Sequence, residues 1–338
     1  MVAGCTGSRR FLSWKQGLLS NTDLSSLVIM ERTVISLKPE LPYSFSLTAA
    51  YATFFRGRYG GDTFDNGLYQ RLLDMGECLC LARVRASGTA DSPLLNVELF
   101  SPSLAGATVA RVREQMGWVL GIARDIRPFY QMALNDRALA PLIQELWGLH
   151  IPHTASVYEA LVQAIMGQQI SAHVARKLRM RLTETYGSTL EVSGVVNHSF
   201  PRPDALVDAG VDGLRALGFS TRKSEYIIDI SRKMTSGQFD LESLHAFTDE
   251  EAIHTLTGLR GVGLWTAQWL LIRALGRDDG FPHDDLALCR VLGQLLNKGK
   301  PFQPEEAREY SSRWSPYRSY VTAYLFAAMR SGYAFPSV

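Results

Sequence analysis

Two short stretches hold residue types whose spacing could do chemistry. In Leu256-Thr257-Gly258-Leu259-Arg260-Gly261-Val262-Gly263-Leu264-Trp265-Thr266-Ala267, two glycines stand two apart between segments of helical spacing. Glycine admits positive φ and close backbone approach. Such a turn aims consecutive N–H groups and a helix N-terminus outward, a cradle for a phosphate oxygen. Taken alone, the motif is more often a plain helix-to-helix turn; the capped helix before it and Thr266 after it favour the cradle. Further along, Phe281-Pro282-His283-Asp284-Asp285-Leu286-Ala287-Leu288-Cys289 sets adjacent carboxylates at the start of an apolar helix. They are either a helix cap with a dipole-compatible neighbour, or one of them points into a cleft as a catalytic carboxylate. Trp265 and Trp269, four apart, share a helix face. They read as a core stripe or as an aromatic wall beside that acid.

The elements that must hold these residues divide the chain. Residues 1–38 read as a weakly ordered lead-in: a loose tail or, with Arg9, Arg10 and Lys15, an amphipathic transit segment. Residues 39–138 read as a small antiparallel sheet with helices. Tyr43, Phe45 and Leu47 alternate with small polar residues, as do Leu95, Val97 and Leu99 with Asn96 and Glu98, and Leu79, Leu81 and Val84 suggest another strand. Val109, Val112, Met116 and Val119 have helical spacing. Residues 139–338 read as helical. Ser156 to Glu159 and Thr248 to Glu251 are capping boxes, Ser171 and Ser220 open further helices, and no strand pattern of comparable quality follows. The expected architecture is therefore α+β, a sheet domain followed by an all-α domain.

Composition bounds the partner. The 338 residues carry 35 Lys plus Arg against 33 Asp plus Glu, a net charge of +2, so any nucleic-acid contact is a local patch and not a bulk field. The 46% apolar content supports a packed core. Four scattered cysteines exclude a disulfide framework and suit a reduced, intracellular setting. No apolar run reaches the length of a membrane span. Arg176, Lys177, Arg179 and Arg181 are the densest basic cluster, either a solvated helix face or a phosphate contact.

The hairpin followed by Pro282-His283-Asp284-Asp285 resembles the helix-hairpin-helix DNA glycosylases. Ala164-Ile165-Met166-Gly167-Gln168-Gln169-Ile170-Ser171 resembles the family's turn before its minor-groove wedge. Arg313-Trp314-Ser315-Pro316-Tyr317-Arg318-Ser319-Tyr320 looks like the C-terminal signature of the 3-methyladenine DNA glycosylase II branch. The likeness spans residues 40–332 and is specific from Ser156 onward. It implies a monomeric base excision repair enzyme acting on damaged double-stranded DNA in the cytoplasm, nucleoid-associated in a bacterium, with no membrane partner and no required cofactor.

Residue by residue, the resemblance makes Asp285 the essential carboxylate and Asp284 its supporting cap. It makes Trp265, Trp269, Phe326 and Tyr51 pocket residues and Gln168 a pocket or a turn residue, and gives Gln169, Gly261, Val262, Gly263 and Thr266 to DNA. The carbonyls of Thr257, Leu259 and Val262 match positions that hold a monovalent cation in relatives. Bifunctional relatives carry a lysine where this chain has Trp265, so no Schiff base can form there. The expected reaction is hydrolysis of the N-glycosidic bond of a flipped, alkylated base of 3-methyladenine type, leaving an abasic site. The alternatives are oxidised or deaminated bases, or a hairpin domain that only binds DNA.

Overall fold

The computed structural model describes residues 9–11 and 30–335. Seven antiparallel strands form one sheet: β1 (Arg9–Phe11), β2 (Met30–Leu37), β3 (Arg58–Tyr59), β4 (Asp62–Asp65), β5 (Leu68–Asp74), β6 (Leu79–Ser87) and β7 (Leu94–Ser101). Their order is β1-β2-β7-β6-β5-β4-β3. Helix α1 (Phe45–Ala52) lies between β2 and β3 in the chain, and α2 (Gly106–Val119) follows β7. Then come α3 (Arg127–Ala133), α4 (Ala140–Glu145), α5 (Val157–Gly167), α6 (Ala172–Tyr186), the hairpin β8 (Thr189–Val192) and β9 (Val195–His198), α7 (Pro203–Ala216) and α8 (Thr221–Thr235). Helices α9 (Asp249–Thr257), α10 (Leu264–Arg273), α11 (Leu286–Leu296), α12 (Pro304–Ser311) and α13 (Arg318–Ser331) complete the fold. This is the α+β order expected: sheet first, helices after. Among the described residues no helix is long and apolar enough to cross a membrane.

Three local expectations are corrected. Of the lead-in drawn over 1–38, Met30–Leu37 is a full strand, seven of whose residues pair with β7, and Arg9–Phe11 pairs with it. Residues 1–8 and 12–29 lie outside the described residues. The alternation that would have announced β2 is only Ile35 and Leu37 facing inward, so pairing, not pattern, makes the strand. The Tyr43-Phe45-Leu47 alternation is not a strand. The Ser44 hydroxyl accepts from the Leu47 N–H and starts α1, and three alternating residues are too few to outweigh a cap. In the second half, β8 and β9 form a hairpin around Ser193 and Gly194, both at positive φ. Only Leu190 and Val192 of that hairpin are buried, which is why its pattern is faint.

The core falls into three main parts. Sheet residues such as Leu95, Val97 and Leu99 pack against Val112, Met116 and Val119 of α2. Helices α5 to α10 enclose a second cluster that includes Leu161, Ile165, Leu256 and Leu270. The third is built from distant pieces of chain. Tyr51, Phe129, Tyr130, Leu142 and Ile143 pack with Leu288, Leu292, Trp314, Tyr324 and Phe326. The Tyr130 and Tyr324 hydroxyls meet at 2.8 Å across 194 residues of sequence. The sheet is tied to α5 by buried Arg71. Its guanidinium donates to both Asp62 oxygens at 2.9 Å and to Glu159. Glu159 therefore completes only half of its capping box. The Ser156 hydroxyl accepts from the Glu159 N–H, while the Glu159 carboxylate turns to Arg71 and the Ala155 N–H.

Candidate active site

Asp285 is the N-cap of α11, with its side-chain oxygens fully engaged. Oδ1 accepts the N–H groups of Ala287 and Leu288 at 2.9 and 3.0 Å. Oδ2 accepts the indole N–H groups of Trp265 at 2.9 Å and Trp269 at 3.3 Å. A carboxylate offers about four lone-pair directions, and four donors converge on this one. The α11 dipole adds further positive potential to a half-buried anion. Asp284, expected as the supporting cap, is exposed and makes no such contact. The cap is Asp285 itself, because only its backbone, extended at φ −69° and ψ 116°, turns the side chain back over the first turn of the helix.

The two tryptophans sit one turn apart on α10, so both indoles reach the same acid. They also form a wall. The Trp265 and Trp269 rings lie 6.5 Å apart, and Trp269 meets Phe326 of α13 edge to face at 5.2 Å. Phe326 is buried. Tyr51 reaches this wall through the guanidinium of Arg330, which lies 4.9 Å from the Phe326 ring and 5.4 Å from the Tyr51 ring. The structure thus brings Asp285, Trp265, Trp269, Phe326 and Tyr51 into one neighbourhood. Gln168 is not among them. Its amide donates to the Gly261 carbonyl at 3.0 Å and to the Thr266 hydroxyl at 3.2 Å, bracing the hairpin.

The hairpin joins α9 to α10. Gly261 has φ +86°, and a Cβ there would fall 2.1 Å from the Tyr226 ring, so both backbone and neighbour demand glycine. Gly263 is the N-cap of α10, has no side-chain cap and faces open space. The first N–H groups of α10 therefore remain available to an outside acceptor. Val262 and Thr266 are buried, so what they can offer outward is backbone. Leu264 and Leu286, the first residues of α10 and α11, are 42% and 71% exposed, leaving apolar surface beside both helix starts. Gln169 is exposed in the left-handed region at φ +54°. The turn behind it is pinned by Lys223 of α8, whose ammonium donates to the carbonyls of Met166 and Gln168.

The basic cluster on α6 does not form one face. Arg176 donates to the carbonyls of Arg56 and Arg58, Arg181 to that of Leu217, and Arg179 is buried with its guanidinium 3.5 Å from the Tyr59 ring. Sequence reasoning missed Arg273 and Arg330, which flank the aromatic wall. The available signal was the spacing of Phe326 and Arg330, one turn apart on the same helix. Burial pulls Arg330 down to about 10, with Arg273 adding to the effect and Tyr51 and Asp285 opposing it. Among the described residues no cluster of His, Cys, Asp and Glu could hold a metal ion.

A family model described as HhH-GPD superfamily base excision DNA repair protein matches residues 162–316. A DNA-3-methyladenine glycosylase of Bacillus subtilis is 32% identical over 205 residues, 61% of this chain and 68% of that protein. DNA-3-methyladenine glycosylase 1 of Schizosaccharomyces pombe is 30% identical over 170 residues, 50% of this chain and 71% of its own length. The solved 3-methyladenine DNA-glycosylase of Archaeoglobus fulgidus superposes with a TM-score of 0.79 at 27% identity, covering 88% of this chain and 98% of that one. The hairpin, the capped acid and the two-part architecture agree with these matches, and the chain belongs to the HhH-GPD superfamily of base excision DNA repair proteins.

Proposed function

We propose that this chain is a monofunctional DNA glycosylase that turns a damaged base of 3-methyladenine type out of double-stranded DNA and hydrolyses its N-glycosidic bond. The observation that carries the proposal is Asp285, an anion held by four donors beside an aromatic wall. The bond breaks through an oxocarbenium-like state whose positive charge a fixed carboxylate stabilises. With its lone pairs already engaged, Asp285 acts through its field and does not collect the proton of the attacking water. That proton leaves to solvent. No cofactor enters this scheme, and with Trp265 in place of a lysine, no covalent adduct with DNA forms.

The backbone of Gly261, Val262 and Gly263 and the start of α10 would grip a phosphate, and Gln169 would enter the space the base vacates. The carbonyl of Thr257, at the end of α9, has no donor one turn on, and that of Leu259 keeps a lone pair beyond its bond to the Val262 N–H. With the Val262 carbonyl they could hold a monovalent cation that firms the turn. The protein would act as a monomer in the cytoplasm. The names of the Bacillus, Schizosaccharomyces and Archaeoglobus proteins support the alkylated-base reading. Incubation with a duplex carrying 7-methylguanine or 3-methyladenine should yield free base and an alkali-labile abasic site, and borohydride should trap nothing. Absence of free base overturns the glycosylase, and efficient trapping overturns the monofunctional mechanism.

A further inference from the structure

His150 sits where three separate loops are knitted together, and it is 1% exposed. Its Nδ1 lies 2.8 Å from the Gly121 carbonyl oxygen and its Nε2 3.0 Å from that of Pro42. Its backbone N–H donates to the Thr48 hydroxyl, and the Tyr43 ring lies 4.8 Å from the imidazole. The backbone around it is laced across the same loops. The Ser44 N–H donates to the Gly148 carbonyl, and the Glu40 N–H to that of Ile122. Gly121, at φ +61°, has so little room that a Cβ would fall 2.4 Å from the Ile151 carbonyl oxygen. One loop leads into α1, which carries Tyr51 of the aromatic wall, one joins α2 to α3, and one leads from α4 into α5.

A carbonyl oxygen only accepts. A neutral imidazole has one N–H and one bare nitrogen, so it satisfies one of these carbonyls and turns a lone pair on the other. Turning the ring over would set C–H groups against both oxygens. Only the imidazolium, with an N–H on each side, makes both bonds. Among the described residues the charged groups that face the ring are Glu40 and Asp125, both acids, and Asp125 is in turn held by Arg127. Tyr43 faces it as a neutral phenol whose hydroxyl donates to the Leu120 carbonyl. Burial pulls the ring below its ordinary 6.5, against the two carbonyls, Asp125 and Glu40. The two contacts tip this balance, because the neutral ring also buries a lone pair against an oxygen, an unmade bond at full cost. We propose that His150 is an imidazolium in the folded protein at neutral pH and acts as a proton-held clamp, closing the junction between the sheet and the helices around the aromatic wall and loosening when the proton is lost in alkali. A proton kept in the fold after the unfolded chain has shed it contributes stability that is full below about pH 6.5 and disappears as pH rises through the folded protein's own titration.

The test is a long-range proton–nitrogen NMR spectrum of the full-length protein with isotope-labelled histidine, recorded from about pH 6 to about pH 10. Both ring nitrogens of His150 should carry protons at about pH 7.5, where an ordinary exposed imidazole has lost one. A bare ring nitrogen on His150 at that pH overturns the proposal. Thermal unfolding gives a second readout. His150→Gln keeps an amide donor at every pH, so its fall in Tm between about pH 7 and about pH 10 should be smaller than that of wild type by about two degrees. Superimposable pH profiles for the two proteins overturn the clamp. Where the variant does not fold, the wild-type spectrum decides alone.

Discussion

Replacing Asp285 with Asn removes the carboxylate charge and keeps the helix cap. Asn caps a helix nearly as well as Asp, so the bonds from the Ala287 and Leu288 N–H groups can persist on the amide oxygen. On the other side an NH2 group would face the indole N–H groups of Trp265 and Trp269, donors against donors. Losing those two bonds should cost about 2 kcal/mol of stability, read as a Tm lower by a few degrees. The effect on chemistry is larger. A carboxylate about 4 Å from a developing positive charge, in surroundings of effective dielectric about 20, is worth about 4 kcal/mol, or about a thousandfold in rate. The assay is single-turnover base release at saturating protein, with duplex affinity measured in parallel by fluorescence anisotropy. Binding should change little, because the hairpin is untouched. A variant that releases base within about tenfold of wild type would refute the role given to the Asp285 charge.

Other outcomes follow from the same geometry. Trp265→Phe removes one of the two donors on Oδ2 and should slow base release by about tenfold with unchanged duplex affinity; equal rates would show that the indole only packs. Gln168→Ala cuts the brace to Gly261 and Thr266 and should weaken anisotropy-measured binding to an abasic duplex by about 1 kcal/mol, whereas a loss confined to base release would place Gln168 in the pocket after all. His153 stacks on Trp118 at 4.4 Å, and burial, with Arg273 nearby, pulls it from 6.5 down to about 3. The unfolded chain then takes up a proton near pH 6.5 and the folded protein does not, so this contribution to stability is full above that pH and declines as pH falls toward 3. His153→Phe should flatten the Tm-against-pH curve between pH 6.5 and 4, and an unaltered slope would exclude His153 as its source.

The site was legible where chemistry is local in sequence. Asp285, Trp265 and the hairpin glycines lie in two short stretches, and a cap, a helical repeat and a glycine turn each leave a pattern of a few residues. The division of labour between Asp284 and Asp285 was not legible, since either residue type can cap and only backbone direction decides. Arg330 and Arg273 escaped because a single arginine in a helix resembles any solvated one until a remote segment, here Phe54 at φ +55° beyond α1, folds over it. The same holds for Arg71, whose partners Asp62 and Glu159 are separated by most of the sheet. Sequence alone leaves Gln168 in either the pocket or the turn, and only the fold shows its amide reaching the hairpin at Gly261.

The third core cluster has a consequence for how the enzyme is made. Its first half, around Phe129 and Tyr130, is synthesised long before Leu288, Tyr324 and Phe326. Until α11 and α13 leave the ribosome, the earlier helices lack the partners those two helices supply. Such distant closure slows folding. The helix that carries Phe326 of the aromatic wall also closes this core, so a truncation that trims α13 would open the core and remove Phe326 from beside Trp269 in one cut.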